Sequence, residues 1–327
     1  MQKLRIVYLG TPDFAVEPLC RLLEKQQSCD SCGYEIVGVV TMPDKMINKR
    51  GNQLLMSPVK QYAVEQGLPV LQPESLKDEA FQSALRAWGA DLQIVVAFRM
   101  LPESVWNMPR LGTFNLHASL LPQYRGAAPI NWAIINGDKE TGVTTFFLKH
   151  EIDTGDVIYR DVVAIDDCDN AGTLHDKLML QGGETVLRTV EAIVKGDVAA
   201  IAQDDMCVGE LRPAPKIFRD TCHIDWNGNV DAVYNFVRGM SPYPAAWCEL
   251  VNANDEAVAL KVYAVTREYA QHDKALGALV TDNKNYIKVA VVDGYILLDE
   301  VQLAGKKRMP VADLLRGFSV EGMKSVK

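Results

Sequence analysis

The chain has 327 residues, of which 48% are hydrophobic and 23% are charged, with a formal net charge of -8 and a pI of about 5.3. A single hydrophobic core stops growing at about 250–300 residues, so we expect two domains. The acidic balance excludes a protein that coats nucleic acid through bulk positive charge, but it leaves local basic patches open.

The first residues, MQKLRIVYLGTPDF, lead directly into an apolar strand pattern and lack the features of a secretory signal or transit peptide. No apolar run approaches the roughly 18–20 residues that span a bilayer, so we expect no membrane partner. The seven cysteines are scattered, which favours free thiols and a cytoplasmic location. Cys29 and Cys32 form a CDSC motif that follows a helical pattern, and we interpret them as loop thiols.

Apolar runs alternate with helical patterns through the first part of the chain. The pattern predicts strands at 4–10, 35–41, 68–73 and 90–98, and helices at 16–25, 57–67 and 81–88. The strand runs are nearly continuous in hydrophobicity, which is typical of parallel strands covered on both faces. The order βαβαβ predicts an α/β fold with a doubly wound, Rossmann-like, mostly parallel sheet.

Further strands are predicted at 112–119, 142–148 and 156–165, and a helix at 173–195 closes this unit. Residues 204–220 contain two prolines and no apolar period, so we interpret them as a linker. The predicted catalytic domain therefore covers 1–203 and a C-terminal domain covers 221–327. The latter contains a helix near 230–238 and five short strands, which suggest a small OB-like β-barrel.

Ligand sites of such sheets lie at the carboxyl ends of the parallel strands. The first such end carries LGTPDF, where Gly10 stands alone and Pro12 follows it. This sequence lacks the GxGxxG fingerprint, so a dinucleotide cofactor and a nicotinamide oxidoreductase are weakly supported.

The stretch FNLHASLLPQYRGAAP places Asn115 and His117 two residues apart on a predicted strand, where they share one face. Polar side chains at a strand end cost free energy unless they are hydrogen bonded or used in function. The segment HEIDTGDVI adds the carboxylate of Asp153. An amide and an imidazole can donate to an oxyanion, and a carboxylate can hold the imidazole or accept a proton, so the set suits acyl transfer. A histidine bonded inside a core network is the structural alternative.

Other catalytic patterns are absent from the sequence. No GxSxG elbow precedes a helix, and no cysteine lies at a basic helix start, so direct attack by a substrate nucleophile is favoured over a covalent acyl-enzyme. No HExxH or other clustered ligand pattern indicates a metal, and we expect none.

The segment NLHASLLPQYRGAAP, followed by IDTGD, resembles the signature of the 10-formyltetrahydrofolate-dependent formyltransferases. Other segments typical of that family extend the resemblance along nearly the whole chain, among them GTPDFA, GLPVLQP, SPYPAAW and AGKKRM. The resemblance implies a folate-borne formyl donor, 10-formyltetrahydrofolate, and an amine acceptor. It also implies a monomer.

The resemblance implies roles for particular residues. It assigns Asn115, His117 and Asp153 as the catalytic trio and leaves Asp156 as a turn residue. Folate binding is implied for two segments, Ser119, Leu120, Leu121 and Pro122 in the first and Phe98, Arg99 and Met100 in the second. Many family members carry a Tyr-Gly pair in the second segment, so the chain departs from them there. Arg125 either bonds the backbone of its own turn or faces a substrate, and the sequence leaves both open.

A long basic loop and the additional C-terminal domain favour a tRNA as the amine acceptor, and the resemblance implies that it is initiator methionyl-tRNA. The loop at 44–56 is longer than an ordinary connection of about 2–6 residues and carries Lys45, Lys49 and Arg50. A second predicted tRNA contact is formed by Lys306, Lys307 and Arg308, since small barrels often bind oligonucleotides. Transfer to a small amine such as glycinamide ribonucleotide, and a non-catalytic RNA-binding protein of the same fold, are the alternatives.

Overall fold

The structure is a computed structural model that describes residues 3–29, 31–47, 53–207, 209–252, 254–320 and 322–326. The chain forms two compact units, each assembled from three stretches. The first comprises Met1–Gly126, Thr141–Val163 and His175–Pro213, and the second Ala127–Glu140, Ala164–Leu174 and Ala214–Lys327. The continuous domain bounds expected from the sequence stay a prediction.

Helices and strands are interspersed through residues 4–195. In chain order they are β1 (Leu4–Gly10), α1 (Val16–Ser28), β2 (Tyr34–Val40), β3 (Lys45–Ile47), β4 (Gln53–Leu55), α2 (Pro58–Glu65), β5 (Val70–Leu71), α3 (Glu79–Ala87), β6 (Leu92–Val96), α4 (Glu103–Trp106), β7 (Thr113–His117), α5 (Pro129–Ile135), β8 (Glu140–Phe147), β9 (Val157–Ala164) and α6 (Ala171–Lys195).

The central sheet has the strand order β5-β2-β1-β6-β7-β8-β9. The pairs from β5 to β7 are parallel, whereas β7 and β8 are antiparallel. The chain leaves β1 for β2 on one side and later returns to β6 on the other, so the order reverses between β1 and β6. This arrangement confirms the expected Rossmann-like, mostly parallel α/β sheet, and it places the ligand-binding edge at the carboxyl ends of β1, β6 and β7.

Burial on both faces explains the continuous apolar runs. Ile6, Val7, Tyr8 and Leu9 of β1 are fully buried, and all five residues of β6 are buried. Gly10, the last residue of β1, has no room for a side chain, because a Cβ there would lie 2.7 Å from Ala15 Cβ. The glycine of LGTPDF therefore permits close packing of the following turn against the strand.

Several element bounds differ from the expected ones. The strand expected at 90–98 ends at Val96, because Ala97 adopts a left-handed backbone with φ of +46°. The loop expected at 44–56 contains the antiparallel hairpin of β3 and β4. Pro129 begins α5, where a proline fits the first helical turn.

The second unit contains an antiparallel sheet that forms a half-barrel. Its elements are α7 (Val230–Met240), β10 (Ala246–Asn252), β11 (Ala257–Tyr269), β12 (Leu279–Thr281), β13 (Ile287–Val291), β14 (Gly294–Leu303), β15 (Met309–Pro310), α8 (Val311–Leu315) and β16 (Met323–Val326). The strand order is β12-β13-β14-β11-β10-β16, with β15 paired to β14. The five expected strands are present, and the short β15 and β16 are additional.

Apolar side chains from α7 and the sheet form the core of this unit. Val233 and Val237 of α7 are buried in one cluster with Leu260, Val262 and Ile296 of the strands. Within the described ranges, no helix is both long and apolar enough to cross a membrane.

Candidate active site

The end of β7 carries Asn115, which is half-buried, and His117, whose side chain is 7% exposed. The two residues are separated by one position and so lie on the same face of the strand. His117 Nε2 lies 2.8 Å from the carbonyl oxygen of Tyr124. A carbonyl oxygen can only accept, so Nε2 carries the hydrogen and Nδ1 is the nitrogen left for another partner.

Asp153 lies in the turn between β8 and β9 with a left-handed backbone at φ of +56°. Its Oδ2 accepts a hydrogen bond from the backbone N–H of Gly126 at 3.1 Å. The sequence left two roles open for this carboxylate, holding the imidazole or accepting a proton, and in this structure the Tyr124 carbonyl bonds the imidazole Nε2. Tyr124 and Gly126 belong to one loop, and this loop therefore bonds both His117 and Asp153.

Gly155 makes the turn between β8 and β9 possible. A Cβ at this position would lie 1.6 Å from the carbonyl oxygen of Phe147, which no side chain can tolerate. The turn closes where Phe147 N donates to Asp156 O at 3.0 Å. The Asp156 carboxylate accepts from Lys149 Nζ at 2.6 Å. The glycine of IDTGD therefore has a steric reason, since the turn must pack against the end of β8.

The Gln203 side chain also holds the turn between β8 and β9. Nothing in the sequence around Gln203 predicts this role. Its side chain is 2% exposed. Its Nε2 donates to Asp153 O at 2.9 Å and to Gly155 O at 2.8 Å. Its Oε1 accepts from Arg125 Nε at 3.0 Å and Arg125 Nη2 at 2.7 Å. The Arg125 guanidinium is thus bonded to a glutamine side chain rather than to the backbone of its own turn.

A cavity of about 520 Å³ adjoins the Asp153 turn. This volume lies within the roughly 300–1,000 Å³ of small-molecule sites in proteins. The residues that line it include the polar Arg125, Thr154, Asp156 and Gln203 beside the apolar Trp106 and Leu148. The cavity therefore gives a polar substrate group access to the neighbourhood of the Asp153 turn.

The segment from Ser119 to Pro122 follows β7 and is fixed to β8 by hydrogen bonds. Thr144 Oγ1 donates to Ser119 O at 2.6 Å and accepts from Leu121 N at 3.1 Å. Ser119, Leu121 and Pro122 are buried, whereas Leu120 is half-buried. Leu120 is therefore the residue of this segment that is most open to a ligand.

Phe98, Arg99 and Met100 follow β6, the neighbour of β7 in the sheet, and therefore lie at the same sheet edge. Arg99 donates through Nη1 to Glu74 O at 2.9 Å and through Nη2 to Pro73 O. Phe98 is half-buried and Met100 is 75% exposed. The guanidinium of Arg99 thus holds the backbone of a neighbouring loop.

The predicted tRNA-binding residues that the structure describes are Lys45, Lys306, Lys307 and Arg308. Lys45 is exposed on β3, whereas Lys49 and Arg50 lie outside the described residues. Lys306 and Lys307 are exposed after β14. Arg308 donates to Glu300 and lies 4.3 Å from the ring centre of Tyr263, so its charge is partly balanced.

All seven cysteines are free thiols, and Cys29 and Cys32 lie in the loop between α1 and β2. Among the residues that the structure covers, no group of three or more His, Cys, Asp or Glu side chains could hold a metal ion.

Comparisons with known proteins agree on one family. The pattern of the formyl transferase family matches residues 4–190, and that of the formyl transferase C-terminal domain matches residues 216–319. A methionyl-tRNA formyltransferase from Bacteroides thetaiotaomicron is 64% identical over 318 residues, which cover 97% of this chain and 96% of the relative. A methionyl-tRNA formyltransferase from Parabacteroides distasonis is 60% identical over 319 residues, with the same shares covered.

A solved structure of HypX from Aquifex aeolicus in complex with tetrahydrofolic acid superposes with a TM-score of 0.63. It is 18% identical in sequence, and the match covers 96% of this chain and 47% of that chain. At this identity the likeness shows a shared fold.

Proposed function

Because this chain belongs to the formyl transferase family, and within it to the methionyl-tRNA formyltransferases, we propose that it formylates the α-amine of initiator methionyl-tRNA with 10-formyltetrahydrofolate as donor. The observation that carries the activity is the loop that bonds both His117 and Asp153, beside a cavity of about 520 Å³. Relatives of 60–64% identity over 97% of the chain support the tRNA acceptor. A tRNA substrate also favours a cytoplasmic location, and the family resemblance favours a monomer.

In the proposed reaction the α-amine attacks the formyl carbon, a C–N bond forms, the bond from that carbon to folate N10 breaks, and one amine proton passes to N10. The Asn115 amide N–H and the Nδ1–H of protonated His117 donate to the oxyanion that develops. Each such donor contributes about 10²–10³ in rate. Asp153 Oδ1, whose neighbour Oδ2 is bonded to Gly126, accepts this proton from the amine and passes it to the departing N10, so the carboxylate is regenerated.

We place the folate donor against the two segments that follow β6 and β7. Half-buried Phe98 and Leu120 offer apolar contact to a flat heterocycle, and strand-end backbone groups offer hydrogen bonds to its polar edge. In the first segment, the backbone groups of Arg99 and Met100 are among those that offer hydrogen bonds. The second segment contains Ser119, Leu121 and Pro122, and hydrogen bonds with Thr144 hold it in place.

We assign the tRNA phosphates to the cations of two regions, since affinity for nucleic acid comes mainly from local Lys and Arg. Lys45, Lys49 and Arg50 form the first region. Lys306 and Lys307 contribute more than Arg308 in the second, because Arg308 already donates to Glu300.

Formyl transfer from 10-formyltetrahydrofolate tests the proposal, with initiator methionyl-tRNA, elongator methionyl-tRNA and glycinamide ribonucleotide offered as acceptors. We expect the initiator tRNA to be formylated fastest and glycinamide ribonucleotide not at all. Asn115→Ala and His117→Ala should each lower kcat by about 10²-fold, with folate affinity preserved.

The outcomes separate the alternatives. Product from glycinamide ribonucleotide would indicate a small-amine transferase, and tRNA binding without transfer to any acceptor would indicate a non-catalytic RNA-binding protein. Near-full turnover in either variant would refute the role given to that side chain.

A further inference from the structure

The amide of Gln203 uses its entire hydrogen-bonding capacity inside the candidate site. Both N–H groups donate to carbonyl oxygens, those of Asp153 and Gly155, and both lone pairs of Oε1 accept from Arg125. The partners fix the orientation of the amide, since carbonyl oxygens only accept and a guanidinium only donates. With the side chain 2% exposed, water cannot replace these bonds.

These bonds close a ring of contacts around Asp153. Gln203 bonds the Asp153 backbone on one side and Arg125 on the other, and Arg125 directly precedes Gly126, whose N–H holds the Asp153 carboxylate. The backbone of Asp153 is left-handed, a conformation that is uncommon outside glycine, although Asp adopts it more readily than most residues, and a hydrogen-bond constraint helps to hold it. The Gln203 amide supplies that constraint at the carbonyls of residues 153 and 155.

We propose that Gln203 is a positioning residue, whose amide donors hold the Asp153 turn so that the carboxylate faces the attacking amine. The inference rests on the proposed function, because it concerns the geometry of a carboxylate assigned to proton transfer. Gln203 acts through Asp153. It bonds two backbone carbonyls and a guanidinium, and its amide exchanges no proton in the reaction.

Two substitutions test whether activity depends on the Gln203 amide donors or on the oxygen that accepts from Arg125. Gln203→Glu keeps the volume and the oxygen that accepts from Arg125, but it places an oxygen against the carbonyls of Asp153 and Gly155. Gln203→Leu removes both sets of bonds. The proposal predicts that both variants lose activity, because both lose the donors.

Formyl transfer to initiator methionyl-tRNA provides the measurement, with rates normalised to active sites by titration with the folate donor. We expect kcat to fall by about 10–10²-fold in both variants, as for a small displacement of a reacting group, while KM for the donor stays within about twofold. Gln82→Leu is the matched control. Gln82 likewise donates through Nε2, to Leu76 O and Ser104 Oγ, and neither partner belongs to the Asp153 turn. Its kcat should equal that of the wild type.

A double-mutant cycle tests whether Gln203 acts through Asp153. Adding Gln203→Leu to Asp153→Ala should lower kcat by less than about twofold further, since the carboxylate to be positioned is already gone. If Gln203→Leu does not fold, Gln203→Glu carries the cycle. A further loss equal to that of the single variant would overturn the proposal, and so would wild-type kcat in Gln203→Glu. A wild-type protein that formylates no acceptor would refute the proposed function instead.

Discussion

Ser119, Thr144 and Gln203 are almost completely buried, and each uses its side chain to hold backbone of the candidate site. Thr141, on the same strand as Thr144, is also buried, yet its hydroxyl has no hydrogen-bond partner. Buried polar groups strengthen a fold only when they are paired, and unpaired ones cost free energy. Among these four residues, pairing occurs where the backbone of the site must be fixed.

The thiol of Cys248 gives a residue-scale prediction. Cys248 lies on β10, and burial raises the pKa of its thiol to about 12. At pH 8 only about one molecule in 10⁴ then carries the reactive thiolate. We expect iodoacetamide at pH 8 to alkylate the exposed Cys168 and Cys207 in the native protein and Cys248 only after denaturation in guanidinium. Peptide mass spectrometry measures each site, and native alkylation of Cys248 at the rate of Cys168 would contradict its burial.

At the scale of elements, the segment after β7 depends on β8 for its position. The buried Thr144 hydroxyl bonds both Ser119 O and Leu121 N. Thr144→Val keeps the shape of the side chain but leaves these two backbone groups unpaired, at about 1–3 kcal/mol. We expect a fall in Tm of about 2–8 °C and a higher KM for the formyl donor, measured by thermal unfolding and formyl-transfer kinetics.

Thr141→Val is the control for this change. It makes the same substitution on the same strand, at a buried hydroxyl that lacks a partner. Removing an unpaired buried hydroxyl is neutral or stabilising, so Tm should not fall. Equal losses in the two valine variants would mean that the bonds to Ser119 and Leu121 contribute nothing.

Elements with a strong pattern were predictable from sequence, and contacts between distant segments were not. The unbroken apolar run of β1 predicted a strand buried on both faces, and the resemblance on NLHASLLPQYRGAAP is confirmed at the level of the family. The strands β3 and β4 have three residues each, which is too short to show an alternation of apolar and polar residues. Gln203 meets its partners only when folding brings it next to residues 125, 153 and 155. No residue spacing in the sequence predicts these contacts.

At the scale of the whole molecule, the second unit draws on three separate stretches of chain. Its helix α5 is joined to α7, since Asn131 Nδ2 donates to Gly239 O at 2.7 Å. Gly239 permits this approach, because a Cβ there would lie 2.6 Å from Ile135 Cγ1. The neighbouring Arg238 is 7% exposed, and its Nη1 donates to Asp169 O at 2.9 Å. The C-terminal part of the chain therefore holds segments that precede it by about 70–110 residues.

A fragment that ends at Pro213 tests this dependence. It lacks α7, so α5 and residues 164–174 lose the hydrogen bonds from Asn131 to Gly239 and from Arg238 to Asp169. The loss uncovers apolar surface on α5, and burial of such surface is worth about 25 cal/mol per Å². We expect the fragment to bind the dye ANS and to unfold at a lower temperature than the full chain. A fragment that unfolds cooperatively at the Tm of the full chain, without binding ANS, would show that these segments fold independently of α7.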